Sequence, residues 1–216
     1  MKCKQVAAPR GMLSMKKKSL ILVLMLGFFV VLPNPVHTCV GRLLIIAVSD
    51  SADQDIMGQM LSVLINERTG TTVEIVRPGD VKRCHEAVLN GKANIYVNYI
   101  GIGMAKTAGS SEADDPQKVY TLLSQSYKEK FGMIWLKPFG FQGPLTLGAD
   151  GKNNGPTLAA PVTTKDVLKK FPVLDRLINK LGGRIDNSTI DELRKKTEKQ
   201  DVETVVKEYL KAQRLI

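Results

Sequence analysis

A continuous run of apolar residues from Leu43 to Val48 is followed at once by an amphipathic segment from about Asp53 to Arg68. A strand that is apolar at every position is typical of a sheet covered on both faces, as in folds whose parallel strands are joined by helices. In the second segment the apolar residues recur at helical spacing, and Gly70 predicts the end of the helix. The first part of the fold is therefore predicted to be α/β.

The same alternation of strand and helix patterns continues along the chain. The further strand candidates are residues 72–76, 94–99 and 133–136, and the helix starts between them are marked by Asp80 and by Asp115 followed by Pro116. From residue 163 onward the patterns are helical. We therefore predict one α/β domain over residues 42–216, with a central, mostly parallel sheet flanked by helices and a helical C-terminal part.

Residues 1–41 have the pattern of a secretory signal peptide. Three lysines at 16–18 precede an apolar run from Leu20 to Leu32, and prolines and small or polar residues follow. The run is shorter than the roughly 20 apolar residues that a membrane-spanning helix needs. We therefore predict that this segment directs export and is then removed, leaving a periplasmic or otherwise extracytoplasmic protein.

The start and the cleavage point of this signal each have two interpretations. Translation from Met15, directly before the lysines, would leave residues 1–14 untranslated. Thr38 stands where a lipoprotein signal has Gly or Ala before its cysteine. Conventional cleavage is therefore favoured over a lipid anchor at Cys39.

The signal segment also accounts for most of the net charge. It carries six of the 31 basic residues and none of the 21 acidic ones, so the remaining chain has a net charge near +4 rather than +10. No Cys/His zinc pattern, aromatic RNA motif or lysine-rich tract compensates for this loss. We predict no nucleic-acid partner.

The patterns that carry catalysis are not found in the sequence. There is no Ser-His-Asp or Cys-His set, no phosphate-binding loop and no metal-ligand spacing, so we predict no enzymatic activity, cofactor or metal. Cys84 lies on the apolar stripe of a helix and is predicted to be buried. His85 points elsewhere and is predicted to lie at the surface, whereas Trp135 is predicted to anchor the core.

Residues 94–103 read Asn-Ile-Tyr-Val-Asn-Tyr-Ile-Gly-Ile-Gly, a buried strand that breaks at two glycines. This pattern predicts a strand that ends in a loop. Ligands of alternating βα folds gather at the carboxyl ends of such strands. Tyr96 and Tyr99 are thus candidates for ligand contact, and the alternative is that both only pack a core.

Residues 96–102 resemble the Tyr-Pro-Glu-Tyr-Thr-Gly-Thr segment of the substrate-binding proteins of ABC importers for glycine betaine, choline and related osmoprotectants. Residues 52–61 resemble the Thr-Glu-Gln-x-Ile-Leu-Gly-Glu-Met-Leu segment of the same family. Further similar segments follow in the family's order at residues 115–120, 135–141, 159–162, 171–174 and 181–186. The resemblance implies a periplasmic-binding-protein-like (type II) fold, a quaternary amine or similar small polar solute as ligand, and an ABC permease as membrane partner.

The resemblance also implies the site. A quaternary ammonium is held mainly by aromatic faces, and Tyr99 matches a tyrosine of the family's cage. The other ligand-binding candidates implied by position are Tyr96, Gly101, Asp53, Gln54, Ser49 and Asp50. The last two stand where relatives commonly have Lys-Asn, and an aspartate there would attract a cation but repel the carboxylate of a betaine.

The chain resembles a shortened form of this family. Its relatives have two α/β lobes that close on the ligand, and the second lobe is inserted where this chain has only the turn-like residues 148–156. Two threonines of the family motif are Ile100 and Ile102, and its aromatic residues before Ala-Ala-Pro are Thr157 and Leu158. We therefore predict a single lobe with an open half-site.

Two functions follow from this interpretation. One is the solute-binding component of an importer for glycine betaine, choline or a similar solute. The other is a diverged one-lobe relative that has lost its solute and acts by dimerisation or other protein contacts. Exposed Ile100 and Ile102 at the cleft would favour the second, since an open cleft would leave an apolar patch.

Overall fold

The computed structural model describes residues 42–107, 116–143 and 157–216. Its strands are β1 (Leu43–Ser49), β2 (Thr72–Gly79), β3 (Ile95–Tyr99), β4 (Met133–Trp135) and β5 (Ala159–Thr164). Its helices are α1 (Ala52–Thr69), α2 (Val81–Leu89), α3 (Ile100–Thr107), α4 (Pro116–Phe131), α5 (Lys165–Lys170), α6 (Leu174–Ile178), α7 (Asn187–Thr197) and α8 (Val202–Ala212), with a 3-10 turn at Asn179–Leu181. The predicted α/β class and helical C-terminal part are confirmed.

The five strands form one mixed sheet in the order β2-β1-β3-β5-β4. β1 runs parallel to both β2 and β3, as predicted. β5 runs antiparallel to both β3 and β4, so the sheet is parallel over only one of its halves. The reason is that residues 157–160 return alongside residues 139–143, which fixes the direction in which β5 enters the sheet.

The predicted first helix is confirmed as α1. Ser51 caps its start by accepting a hydrogen bond from the Gln54 backbone nitrogen at 3.3 Å. Gly70 ends it with φ at 66°, a left-handed conformation that glycine adopts without strain, and donates its N–H to the Asn66 carbonyl. The cap sets where the helix begins, directly after the carboxyl end of β1.

Alternating residues of the strands pack into two cores, one on each face of the sheet. The first core joins β1 and β3 to α1 and the C-terminal helices, and Leu44, Ile46 and Val97 belong to it. The second core joins the other strand faces to α2, α4 and β4, and it contains Cys84 and Trp135. Both of these side chains are buried, as predicted.

Two local predictions were wrong. His85 is 4% exposed rather than at the surface, because its ring enters the second core and contacts Tyr127 and Phe131 edge-on. The loop predicted after Tyr99 is the helix α3. Within α3, Gly103 lies against Trp135 and Leu123, and a Cβ there would be 2.8 Å from the Trp135 ring, so this close packing requires a glycine.

The chain on either side of residues 144–156 is held together by two hydrogen bonds. The Gly143 nitrogen donates to the Thr157 carbonyl at 3.0 Å, and Thr157 Oγ1 donates to the Gly143 carbonyl at 2.9 Å. The turn predicted at residues 148–156 lies outside the described residues, as do the signal segment 1–41 and the predicted helix cap Asp115. In the parts of the chain that are described, no helix is long and apolar enough to span a membrane.

Candidate functional site

The carboxyl ends of β1, β2 and β3 lie together because these three strands are parallel neighbours. We use the name carboxyl edge for the last residues of these strands, the residues that follow them and the first turn of α1. Backbone hydrogen bonds fix its shape: Asp50 N donates to the Gly79 carbonyl at 2.7 Å, and Ser51 N donates to the Ser49 carbonyl at 2.8 Å. The edge therefore brings the loop after β1 against the end of β2.

Tyr99, the last residue of β3, is the aromatic group of the carboxyl edge. Its side chain belongs to the first core and is 3% exposed. Burial raises the pKa of its phenol, whereas hydrogen bonding by the Gln54 and Ser51 side chains opposes that rise. Gly143 lies against the ring so closely that an added Cβ would be 2.1 Å from Tyr99 Cε1. One side of the ring is thus covered by the chain itself.

Gln54, in the first turn of α1, is 1% exposed. Its Nε2 donates to the Val97 carbonyl on β3 at 3.3 Å, which ties the start of α1 to the strand that ends in Tyr99. Its Oε1 is buried and has no hydrogen-bond partner in the described part of the chain. Because a buried amide oxygen without a partner costs free energy, this atom is a candidate acceptor for a ligand donor or a water.

Asp53, beside Gln54, is held by an arginine from the C-terminal part of the chain. Asp53 Oδ1 accepts from Arg194 Nε at 3.0 Å and from Arg194 Nη2 at 2.7 Å. The Asp53 side chain is 16% exposed and that of Arg194 is 41% exposed. The charges of Asp53 and Arg194 both act on the pKa of Tyr99, in opposite directions. The ion pair is therefore near enough for both charges to act on the tyrosine hydroxyl.

Ser49 and Asp50 differ in their access to solvent. Ser49 is 7% exposed, whereas Asp50 is an exposed residue at the end of β1. A Cβ at Gly79 would lie 3.1 Å from Arg83 Nη1 and 3.9 Å from Asp50 Oδ2. Both charged side chains therefore face Gly79.

Tyr96 is not brought to the carboxyl edge. It is 0% exposed in the second core, where its hydroxyl lies 2.9 Å from His85 Nδ1 and accepts from Asn98 Nδ2 at 3.1 Å. Gly101 is also buried, in the first turn of α3. Burial and this closed polar network leave the Tyr96 ring no face for a solute in the structure described. Of the predicted residues, the structure brings together Tyr99, Gln54, Asp53, Ser49 and Asp50.

Sequence reasoning missed three residues of this site. Ser51 carried a signal, since a serine just before a helical segment is a typical N-cap. Gly143 lies just after residues 135–141, which resemble the family, and its role is seen only in its contact with the Tyr99 ring. Arg194 carried no local signal, since it is 141 residues from Asp53 in the sequence.

The arrangement offers groups that can contact a small solute. It combines one aromatic ring, a hydroxyl, a buried amide oxygen and paired charges, and no group of three metal-ligating side chains is found among residues 42–107, 116–143 and 157–216. Ile100 is 0% exposed and Ile102 is half-buried, so the predicted exposed isoleucine patch is wrong for Ile100. Ile100 is buried because α3 turns it into the second core.

Comparison with known proteins identifies the family. The family model described as the substrate binding domain of the ABC-type glycine betaine transport system matches residues 42–154 and 149–212. The chain belongs to this family. The resemblance inferred from the sequence is thus confirmed, and the partial coverage fits a shortened form.

Individual members of the substrate-binding family are distant. The carnitine transport binding protein OpuCC of Listeria monocytogenes is 24% identical over 148 residues, which are 65% of this chain and 44% of that protein. This chain thus spans less than half the length of that curated relative.

Solved structures support the fold. A glycine betaine/carnitine/choline ABC transporter structure superposes with a TM-score of 0.72 at 18% identity, over 80% of this chain and 99% of that one. Apo YehZ from Escherichia coli superposes with a TM-score of 0.67 at 14% identity, over 80% of this chain and 99% of that one. The periplasmic-binding-protein-like fold is confirmed.

Proposed function

We propose that this protein is the extracytoplasmic solute-binding component of an ABC importer for a quaternary amine such as glycine betaine, carnitine or choline. The observation that carries the proposal is the family match over residues 42–154 and 149–212, combined with the position of five residues predicted from the resemblance at one edge of the sheet. The partner is an ABC permease in the membrane, to which the bound solute is delivered. The role is that of a transport binding protein rather than an enzyme.

The ligand site is the carboxyl edge around Tyr99. A quaternary ammonium cannot donate a strong hydrogen bond, so the ring supplies the main contact, at roughly 0.5–2 kcal/mol. The Gln54 and Ser51 side chains act on the Tyr99 hydroxyl by hydrogen bonding, Gln54 Oε1 is buried without a partner among the described residues, and the exposed Asp50 follows β1 at the same edge. Such a mixed apolar and polar edge suits a small solute with a methylated head and a polar tail.

The proposed mature form is a single lobe. Residues 1–41 are the proposed signal peptide that brings the chain across the membrane, and conventional cleavage is favoured over a lipid anchor at Cys39. Residues 144–156 begin and end at hydrogen-bonded neighbours, Gly143 and Thr157, which supports a short connection where relatives insert their second lobe. A single lobe covers only one side of its ligand, and we therefore expect dissociation constants in the micromolar to millimolar range.

Titration calorimetry tests the proposal. The protein and its Tyr99→Ala and Tyr99→Phe variants are titrated with glycine betaine, carnitine and choline. We expect saturable binding of at least one solute, weakened about tenfold or more by Tyr99→Ala and far less by Tyr99→Phe, which keeps the ring. Tyr209→Ala, which removes a tyrosine of α8, is the matched control and retains binding. Flat titrations up to millimolar solute would overturn the assignment.

A second function is favoured by the cover over Tyr99. The ring is 3% exposed and Gly143 occupies one side of it, which limits the face left for a cation. A one-lobe relative that has lost its solute would act by dimerisation or another protein contact. Flat titrations together with a concentration-dependent dimer in light scattering would support this function, whereas a monomer that binds solute would exclude it.

A further inference from the structure

Arg194 lies on α7 and forms an ion pair with Asp53 in the first turn of α1. Among the described residues, this is the one ion pair that joins these two parts of the chain. Two nitrogens of Arg194 donate to Asp53 Oδ1, at 3.0 and 2.7 Å, and its third, Nη1, donates to Asp191 Oδ1 at 2.8 Å. Asp53 is the more buried partner, 16% exposed against 41% for Arg194 and 56% for Asp191. A carboxylate that is so little exposed to solvent is stabilised by its counterion far more than an exposed carboxylate is.

The position of this pair matters because of Tyr99. The Asp53 charge raises the pKa of the Tyr99 phenol and the Arg194 charge lowers it, so both fields reach the hydroxyl. Asp53 is also the neighbour of Gln54, whose orphan oxygen lies on the same turn of α1. A solute bound at the Tyr99 ring therefore experiences Asp53 together with its counterion, not as a free anion.

We infer that Arg194 is a specificity-determining residue, which neutralises Asp53 so that the site prefers zwitterionic quaternary amines over bare cations. This inference rests on the proposed function. Glycine betaine and carnitine carry a carboxylate that a free Asp53 would repel, whereas choline carries none. With Asp53 paired, the ammonium is held by the Tyr99 ring and the carboxylate of the solute does not meet an unpaired Asp53.

The test compares solute preference in four proteins. The dissociation constants of glycine betaine and choline are measured for the wild-type protein, Arg194→Gln, Asp53→Asn with Arg194→Gln, and Arg194→Lys. In Arg194→Gln we expect the preference to shift toward choline by about tenfold, because Asp53 is left unpaired beside the ligand. The double variant removes both charges and restores the wild-type preference, and Arg194→Lys keeps it within a fewfold.

Arg77→Gln is the matched control. Arg77 lies on β2 and pairs with Asp55 Oδ1 of α1 at 2.9 Å. This pair is more exposed: the Arg77 side chain is 52% exposed and that of Asp55 is 37% exposed. Its removal leaves the preference unchanged. If Arg194 only docks α7 onto α1, both solutes weaken together in Arg194→Gln and their ratio stays constant, which would overturn the inference while the proposed function stands. If the wild-type protein binds neither solute, the proposed function fails first and the inference falls with it.

Discussion

Tyr96 and Tyr99 lie on one strand, three residues apart, and have opposite surroundings. The hydroxyl of Tyr96 is enclosed with His85 and Asn98, and Asn98 also reaches Tyr127, so every partner is an uncharged or ring group of the second core. The hydroxyl of Tyr99 lies near Ser51 and the charges of α1 and α7. The same residue type thus serves the interior on one face of the sheet and the candidate site on the other.

The difference follows from the geometry of a strand. Successive side chains point to opposite faces, so residues an odd number apart never share a face. Asn98, which shares the face of Tyr96, becomes its partner, whereas Tyr99 joins Ile95 and Val97 in the first core. We expect substitutions on the Tyr96 side to change stability and those on the Tyr99 side to change binding.

The largest effect is expected from Tyr96→Ala. The side chain is fully buried, and its loss leaves a cavity and removes one hydrogen-bond partner from His85 and one from Asn98. We expect the free energy of unfolding to fall by about 3–5 kcal/mol. Urea denaturation measures it. Tyr96→Phe keeps the ring and should cost less, about 1–3 kcal/mol; a loss below 1 kcal/mol in Tyr96→Ala would show that the network is not structural.

High pH should act on the same face of the sheet. Burial raises the pKa of Tyr127 to about 12, although hydrogen bonds to Asn98 and Tyr96 oppose it. The unfolded chain ionises near pH 10. Because the folded pKa is the higher one, the contribution of Tyr127 is complete below pH 10 and is lost as the pH rises toward 12, by about 2–3 kcal/mol.

Denaturation curves at pH 9, 10 and 11 check this prediction. Tyr127→Phe removes one ionising group and should flatten the decline. Cys84, whose pKa burial raises to about 12, keeps part of the slope in both proteins. Equal slopes with and without the Tyr127 hydroxyl would place the alkaline sensitivity elsewhere in the protein.

Much of the fold could be predicted from the sequence because its signals are local. The apolar run of β1, the cap and stripe of α1 and the glycine at its end depend on neighbouring residues only. The antiparallel direction of β5 could not be predicted, since it depends on the pairing of residues 139–143 with residues 157–160. His85 was wrongly predicted to lie at the surface because its hydrogen-bond partner Tyr96 lies on another element, β3.

The candidate site was predictable for a different reason. The family resemblance named Ser49, Asp50 and Tyr99, and they lie at one edge because β1 and β3 are parallel neighbours whose carboxyl ends come together. Strand alternation could also have separated Tyr96 from Tyr99 without a structure. The role of Arg194 could not have been predicted, because the residues around a charged side chain in a helix do not indicate which distant residue it contacts.

On the other face of the sheet, Gly143→Ala should disturb the Tyr99 ring. The new Cβ would meet Cε1 at 2.1 Å, so either the ring or residues 142–143 must move. We expect a loss of about 1–3 kcal/mol in unfolding free energy together with weaker solute binding. Combined with Tyr99→Ala, which removes the obstacle, the same change should cost much less. Full additivity of the two losses would mean that the contact is not the cause.

The smallest expected effect separates the two faces by their helix caps. Ser51 caps α1 at the carboxyl edge, and Asp80 caps α2, which packs on the Tyr96 side. Each alanine substitution should cost about 1 kcal/mol, because each leaves one helix-terminal N–H without its acceptor. Only Ser51 also acts on the Tyr99 hydroxyl, so only Ser51→Ala should weaken solute binding in calorimetry. Because the two variants are expected to lose similar stability, a difference in their affinity for the solute would come from the binding site. Equal affinities in the two variants would show that Ser51 is not part of the site.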